Sequence, residues 1–176
     1  MNLNLRPQTL AEVADRADDQ RTFGLELQDW LHTIRAIRGR PALARSIDEE
    51  PTLLADRFSE GQAADAWLAA YAEHLASQAN LPVPEWTHDS RRRAIEPWFS
   101  VDAPAERLLA LRDSPPAFKN RNLFTPKVDL PIRLRAGRPP VSTEQKRLKN
   151  VERQRRFRAR RGVELELLRT MVRDGG

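Results

Sequence analysis

Between Lys146 and Arg161 the chain places nine basic residues against a single acid, Glu152. No protein core accepts that charge density, because an unpaired buried cation loses far more hydration than burial returns. Any globular fold must therefore be completed by the residues before this run. The charge balance divides along the same line. Residues 131–176 carry 14 Lys+Arg and 5 Asp+Glu, whereas residues 1–130 carry 16 and 20, so a body of net −4 bears a tail of net +9. Such a split marks a tail that meets nucleic acid or an acidic protein surface; the plain alternative is a solvated tail that keeps the chain soluble.

The 176 residues leave room for one domain with a core and an appendage. Their pattern up to Phe124 is helical. Thr9-Leu-Ala-Glu12 reads as a capping box opening a short helix through Leu10, Val13, Ala14 and Ala17, which should end in Asp18-Asp19-Gln20. Phe23, Leu27, Trp30, Leu31, Ile34 and Ile37 then recur at helical spacing, with Gly39 as a left-handed stop before Pro41. Arg35, Arg38 and Arg40 at that end suit the helix dipole. A short helix from Pro41 to Ile47, a short apolar piece with Leu53, Leu54 and Phe58, and a break at Gly61 follow. Gln62 to Gln78 is the next clear helix, its stripe made by Ala64, Trp67, Leu68, Tyr71, Ala72 and Leu75, with Asn80 as its stop.

The character changes at Leu81-Pro-Val-Pro-Glu-Trp86, which must be extended because each proline excludes its predecessor from the helical region. Trp86, Trp98 and Phe99 stand in this proline-punctuated part, either clamping it to the helical core or lining a groove for a partner peptide. Ala103 to Arg112 reads as a last core helix through Leu108, Leu109 and Leu111, and Ser114-Pro-Pro ends it. Val128 to Leu134 supports one short strand at most. The expectation is an all-α orthogonal multi-helix body over residues 1–126 with an extended Trp/Pro segment, a linker over 127–141, and a basic helical tail over 142–176.

The runs Leu81-Pro-Val-Pro-Glu-Trp-Thr87, Glu96-Pro-Trp-Phe99 and Ser114-Pro-Pro-Ala-Phe-Lys-Asn-Arg-Asn-Leu-Phe124 together resemble a family of small bacterial helical proteins. Members are often encoded beside nucleotidyltransferase-like toxins and are treated as their antitoxins. Thr9-Leu-Ala-Glu-Val-Ala14 and Tyr71-Ala-Glu-His-Leu75 share the resemblance, which covers roughly residues 8–125. It implies a binding protein with a toxin-like partner and a helix-turn-helix-like element near the N-terminus, and it carries over no catalytic residue. The long basic tail departs from the family pattern, which leaves open an antitoxin or a relative with another partner.

Nothing in the sequence assembles a reaction centre. Cysteine is absent, which removes disulfides and thiolate chemistry and fits a reducing cytoplasm. His32, His74 and His88 lack metal-ligand spacing, and no phosphate-binding glycine loop occurs, so neither a metal nor another cofactor is expected. Acid pairs such as Asp18-Asp19 and Glu49-Glu50 are adjacent and do not converge. No run reaches the about 18 apolar residues of a membrane span, and MNLNLRPQTL has no signal-peptide core. The reading is a cytoplasmic non-enzyme.

The tail divides into pieces. Gly137-Arg138-Pro139 is the core of an AT-hook, with Arg135 and Arg138 as side chains for a narrow minor groove; Ala136 stands where the usual motif has arginine, and a turn-forming linker is the alternative. Ser142-Thr-Glu-Gln145 is a second capping box. The helix it opens has no continuous apolar stripe, since Leu148 and Phe157 lie half a turn apart, so it should order on a polyanion. Lys146, Arg147, Lys149, Arg153, Arg155, Arg156, Arg158, Arg160 and Arg161 are candidate phosphate contacts, and Asn150, Arg153 and Gln154 candidate base contacts. DNA is the first expectation and RNA the alternative. Leu165, Leu168 and Val172 are too few for a zipper; that terminus can dock on the body or pair with a second copy. Three readings follow: an antitoxin-like regulator with a protein partner and nucleic acid, a DNA- or RNA-associated assembly protein of a phage or mobile element, or a tail that plugs an acidic enzyme.

Overall fold

The computed structural model describes residues 6–126, together with residues 128, 147, 150–152, 154 and 157. The chain divides into two units, residues 1–135 and 136–176.

Among the described residues the first unit is all-α apart from one two-residue strand pair. Helix α1 spans Leu10–Arg16, and the Thr9 side chain accepts from Glu12 N at 3.1 Å. The second half of the expected box is displaced by one residue, because the Glu12 carboxylate accepts from Gln8 N at 2.8 Å. Leu10, Val13, Ala14 and Ala17 are wholly buried. The triplet that reads as the end of α1 also opens α2, Gln20–Ala36. Asp19 accepts from Thr22 N at 2.7 Å while the Thr22 hydroxyl accepts from Asp19 N at 2.9 Å, a reciprocal cap in which threonine replaces the usual Glu or Gln. The Thr22 N–H bond holds the Asp19 carboxyl below its ordinary pKa.

Gly39 is not a left-handed stop. Helix α2 ends two residues earlier at an extended Ile37, and Gly39, φ −129°, is the N-cap of α3, Arg40–Asp48. Pro41 sits in the first turn of α3, where its missing N–H costs no hydrogen bond, and Gly39 caps that turn in an extended conformation. The Trp30 indole donates to Ser46 Oγ at 3.1 Å and ties α2 to α3 inside the core.

Helix α4, Gly61–Ala79, is the centre of the body, and Asn80 closes it in the left-handed conformation at φ 50°, as its position suggests. Gly61 is no break. It is the first residue of α4, and a Cβ there would lie 1.9 Å from the Leu54 carbonyl oxygen. One turn on, Asp65 is fully buried and accepts from Leu54 N and Ala55 N at 3.0 Å. The loop before α4 is thus seated on the helix start by glycine contact and by a carboxylate. Arg92 completes the anchor: Nη1 lies 3.6 Å from Asp65, Nη2 donates to Pro51 O and to Glu50 Oε1, and the guanidinium covers the Trp86 ring at 4.8 Å. Burial pushes the Asp65 carboxyl up, against the pull of the Leu54 and Ala55 N–H groups and Arg92.

The proline-punctuated segment lies on this core. A 3-10 turn at Glu85–His88 carries Trp86, 8% exposed, whose indole donates to Ile47 O at 3.2 Å. Strand β1, Trp98–Phe99, runs parallel to β2, Leu123–Phe124, with Trp98 opposite Leu123. Phe118 of α6, Pro116–Lys119, fills the space between them and α4. Arg121 donates to Ala117 O and Thr87 O and pairs with Glu73.

The expected last core helix forms as α5, Pro104–Asp113, but it is not a core helix. Ala110 is its only buried residue, while Leu108, Leu109 and Leu111 are 69%, 43% and 45% exposed. The body meets α5 along the Ala110 line, and the leucines on either side of that narrow contact stay in solvent. Among the described residues no helix is long and apolar enough to cross a membrane. Val128 is not in a strand, and the rest of the strand expected to Leu134 lies outside the described residues. In the second unit Arg147, Asn150, Val151, Glu152, Gln154 and Phe157 are helical and exposed.

Candidate functional site

The outer face of α2 does not complete the core. Trp30 and Ile34 turn inward and are wholly buried, whereas Leu27 and Leu31 of the same stripe are only partly covered. With Phe23 they form one wall of a groove of about 350 Å³. The opposite wall is α4 through Ala63, Trp67 and Tyr71; Phe58 and Glu60 close one end and Trp98 of β1 the other side. The floor is an aromatic cluster. Trp67 meets Trp98 edge-on at 5.4 Å and Phe118 at 5.3 Å, and Tyr71 meets Phe118 at 5.1 Å. Such contacts hold large rings in single orientations, so the groove has a defined shape. Burial pushes the Tyr71 hydroxyl up to about 12 against the pull of Arg35, which keeps it neutral.

Gly24 lies within this wall. It sits inside a 17-residue helix, and a Cβ added there would meet no heavy atom within 4 Å. Glycine in a helix interior costs about 1 kcal/mol relative to alanine, and among the described residues nothing takes the space this leaves. The groove contains one carboxylate, Glu60, which stands at the N-cap position of α4 with its side chain making no capping hydrogen bond.

A second, polar cleft lies between the 3-10 turn and α6, lined by His88, Arg92, Arg93, Asn120 and Arg121. Arg92 and Arg121 are committed to Asp65, Glu50, Glu73 and backbone carbonyls, and their remaining N–H groups are themselves buried. These arginines brace the fold. His88 is exposed, and among the described residues no group of three or more acidic or histidine side chains could hold a metal ion. His74, on α4, lies edge-on to Phe118, and burial lowers its pKa.

The three aromatic residues expected to meet a partner separate. Trp86 is a clamp, buried and donating to Ile47 O, and so presents no surface. Trp98 reaches the groove. Phe99, half-buried, stacks on Phe124 at 5.0 Å with the Arg107 guanidinium 5.0 Å from its ring. Leu27, Leu31 and Trp67 read in sequence as interior stripe but are only partly buried, and they line the groove together with Phe23 and Tyr71, which are buried as expected. The available signal was Gly24, a glycine inside a strongly periodic helix. Of the tail candidates, Arg147, Asn150 and Gln154 are helical with exposed side chains. Arg135, Arg138, Lys146, Lys149, Arg153, Arg155, Arg156, Arg158, Arg160 and Arg161 lie outside the described residues.

No protein-family model, curated protein or solved structure matches the chain.

Proposed function

We propose that the protein is a non-enzymatic, antitoxin-like regulator whose helical body binds a partner protein and whose basic C-terminal tail binds nucleic acid, DNA before RNA. The observation that carries the reading is the segregation of charge, net −4 before residue 131 and net +9 after it. The net charge of the body disfavours a polyanion, whereas nine cations in sixteen residues suit a phosphate backbone. The open aromatic groove supports the protein-binding half, since a concave, shaped, largely apolar surface is what a partner's side chains occupy. The resemblance to proteins encoded beside nucleotidyltransferase-like toxins names the class of partner to try first.

The test uses the full chain and a variant with Arg153, Arg155, Arg156 and Arg158 changed to Gln. Each is co-expressed with the protein of the neighbouring reading frame and titrated with a short DNA duplex. The reading expects both chains to hold the partner and only the unsubstituted one to bind duplex. Failure to recover the neighbour, with duplex binding unchanged by the substitutions, contradicts it.

A second reading rests on α5. Exposed Leu108 and Leu111, three residues apart on one helical face, suit self-association, as in a nucleic-acid-associated assembly protein of a phage or mobile element. Ordered oligomers formed without any neighbouring partner favour this second reading.

A further inference from the structure

We propose that the groove between α2 and α4 takes one amphipathic α-helix of a partner protein, about three turns long, with a Lys or Arg beside its apolar stripe at the Glu60 end. The inference rests on the reading of the body as a protein-binding unit and gives that unit its site and its ligand chemistry.

The shape of α2 selects a helix. The residues it contributes form two rows four apart, Gln20, Gly24 and Gln28 beside Phe23, Leu27 and Leu31. Rows at this spacing are the ridges that pack into the grooves of a second helix. The twelve residues from Gln20 to Leu31 span a rise of about 16 Å, three turns at roughly 1.5 Å per residue. Gly24 removes the middle side chain of the outer row, and the open space over it lets another backbone approach α2 closely. A glycine held at a cost inside a helix, with no described residue over it, is explained by an occupant of that space. Phe58, Trp67 and Trp98 line the groove, and apolar side chains at i, i+4 and i+7 of that occupant would lie against them.

Charge sets its polarity. Glu60 is the only acidic or basic side chain lining the groove, it is exposed, and it makes no hydrogen bond or ion pair among the described residues. The body around it is net acidic. A cation at that end of the incoming helix meets a carboxylate that has no other partner, whereas an acidic residue there is repelled.

The probe is a fluorescein-labelled peptide of about four helical turns, made of Leu, Ala and Lys, with Leu at i, i+3, i+4 and i+7 and Lys beside one end of the stripe. One twin has Gln in place of Lys, and another has two central prolines. Fluorescence anisotropy is read with the full chain and with Gly24→Phe, Gly24→Leu and Glu60→Gln, whose helical content is checked by circular dichroism. The expected result is binding of the Lys peptide weakened about tenfold or more by either Gly24 variant, because the new side chain fills the groove. Glu60→Gln should weaken it about two- to fivefold and leave the Gln twin unaffected, the size of an exposed ion pair. The proline twin should not bind. The inference is overturned if both Gly24 variants bind the Lys peptide as well as the parent, or if the proline twin binds equally, which would mean an extended occupant. A cognate partner that stays bound to Gly24→Phe would also sink the groove assignment while leaving the protein-binding reading intact.

Discussion

Two glycines stand in the helices of the body, and the structure assigns their replacement opposite signs. At Gly61 a Cβ would lie 1.9 Å from Leu54 O, 2.4 Å from Leu54 C and 2.9 Å from Ala55 Cα. All three are backbone atoms, so no side chain can swing aside. Retreat is also blocked, because Asp65 holds Leu54 N and Ala55 N against the same turn of α4. Overpacking of a tight site costs about 1–3 kcal/mol, and a backbone obstacle belongs at or above the top of that range. The gain in helix propensity from alanine offsets at most about 1 kcal/mol, and less in a first turn. Gly61→Ala should therefore destabilise the body by about 2 kcal/mol or more. Gly24→Ala meets no heavy atom within 4 Å and keeps only the propensity term, so it should stabilise by about 0.5–1 kcal/mol. Urea unfolding followed by circular dichroism at 222 nm reads both, at unchanged m-value for a clean comparison. A neutral Gly61→Ala, or a Gly24→Ala that lowers the midpoint, would refute these assignments.

Three further outcomes follow from single sites. His74 has its pKa lowered by burial, so its contribution is intact above the ordinary histidine pKa of about 6.5 and is lost as pH falls through the lower folded value; the stability difference between the parent and His74→Gln should shift against the parent between about pH 7 and pH 5, and a pH-independent difference refutes this. Arg92→Met removes the cation beside buried Asp65 and the donor to Pro51 O, and should cost about 3 kcal/mol in the same urea assay; a loss below about 1 kcal/mol would show the anchor to be replaceable. Leu108→Lys with Leu111→Lys should change stability by less than about 0.5 kcal/mol, since both side chains are exposed, while lowering any self-association seen by analytical ultracentrifugation.

Legibility in the sequence followed the range of the physics. Local signals read well: the Thr9 cap, the proline at the start of α3, and Asn80 as the left-handed end of α4 are decided within a few residues. Gly39 and Gly61 were misleading because a glycine marks either a positive φ or a close approach, and only the distant Leu54 carbonyl reveals which applies at Gly61. Asp18-Asp19-Gln20 hid a cap for α2 because Asp19 works there with threonine. The α5 leucines read in sequence as core since hydrophobicity records what a side chain prefers, while exposure depends on what the rest of the chain brings to it. The groove was hidden for the same reason: Leu27 and Trp30 carry the same helical signal, and only the placement of α4 separates a buried residue from a groove wall. Asp65 and Arg92 join residues far apart in sequence, a pairing that no spacing rule reports.

The claim that the tail holds nucleic acid through its phosphates is tested most directly by salt. Binding of a short DNA duplex is measured for the full chain and for the variant with Arg153, Arg155, Arg156 and Arg158 changed to Gln, and the logarithm of affinity is plotted against that of salt concentration. Each neutralised phosphate contributes a slope of about −0.9, so six contacts give about −5 and lose about 10³-fold between about 50 and 200 mM salt. Removing four cations should flatten the slope by about 3 to 4. A slope near zero for the full chain, or one that the four substitutions leave unchanged, would contradict the account.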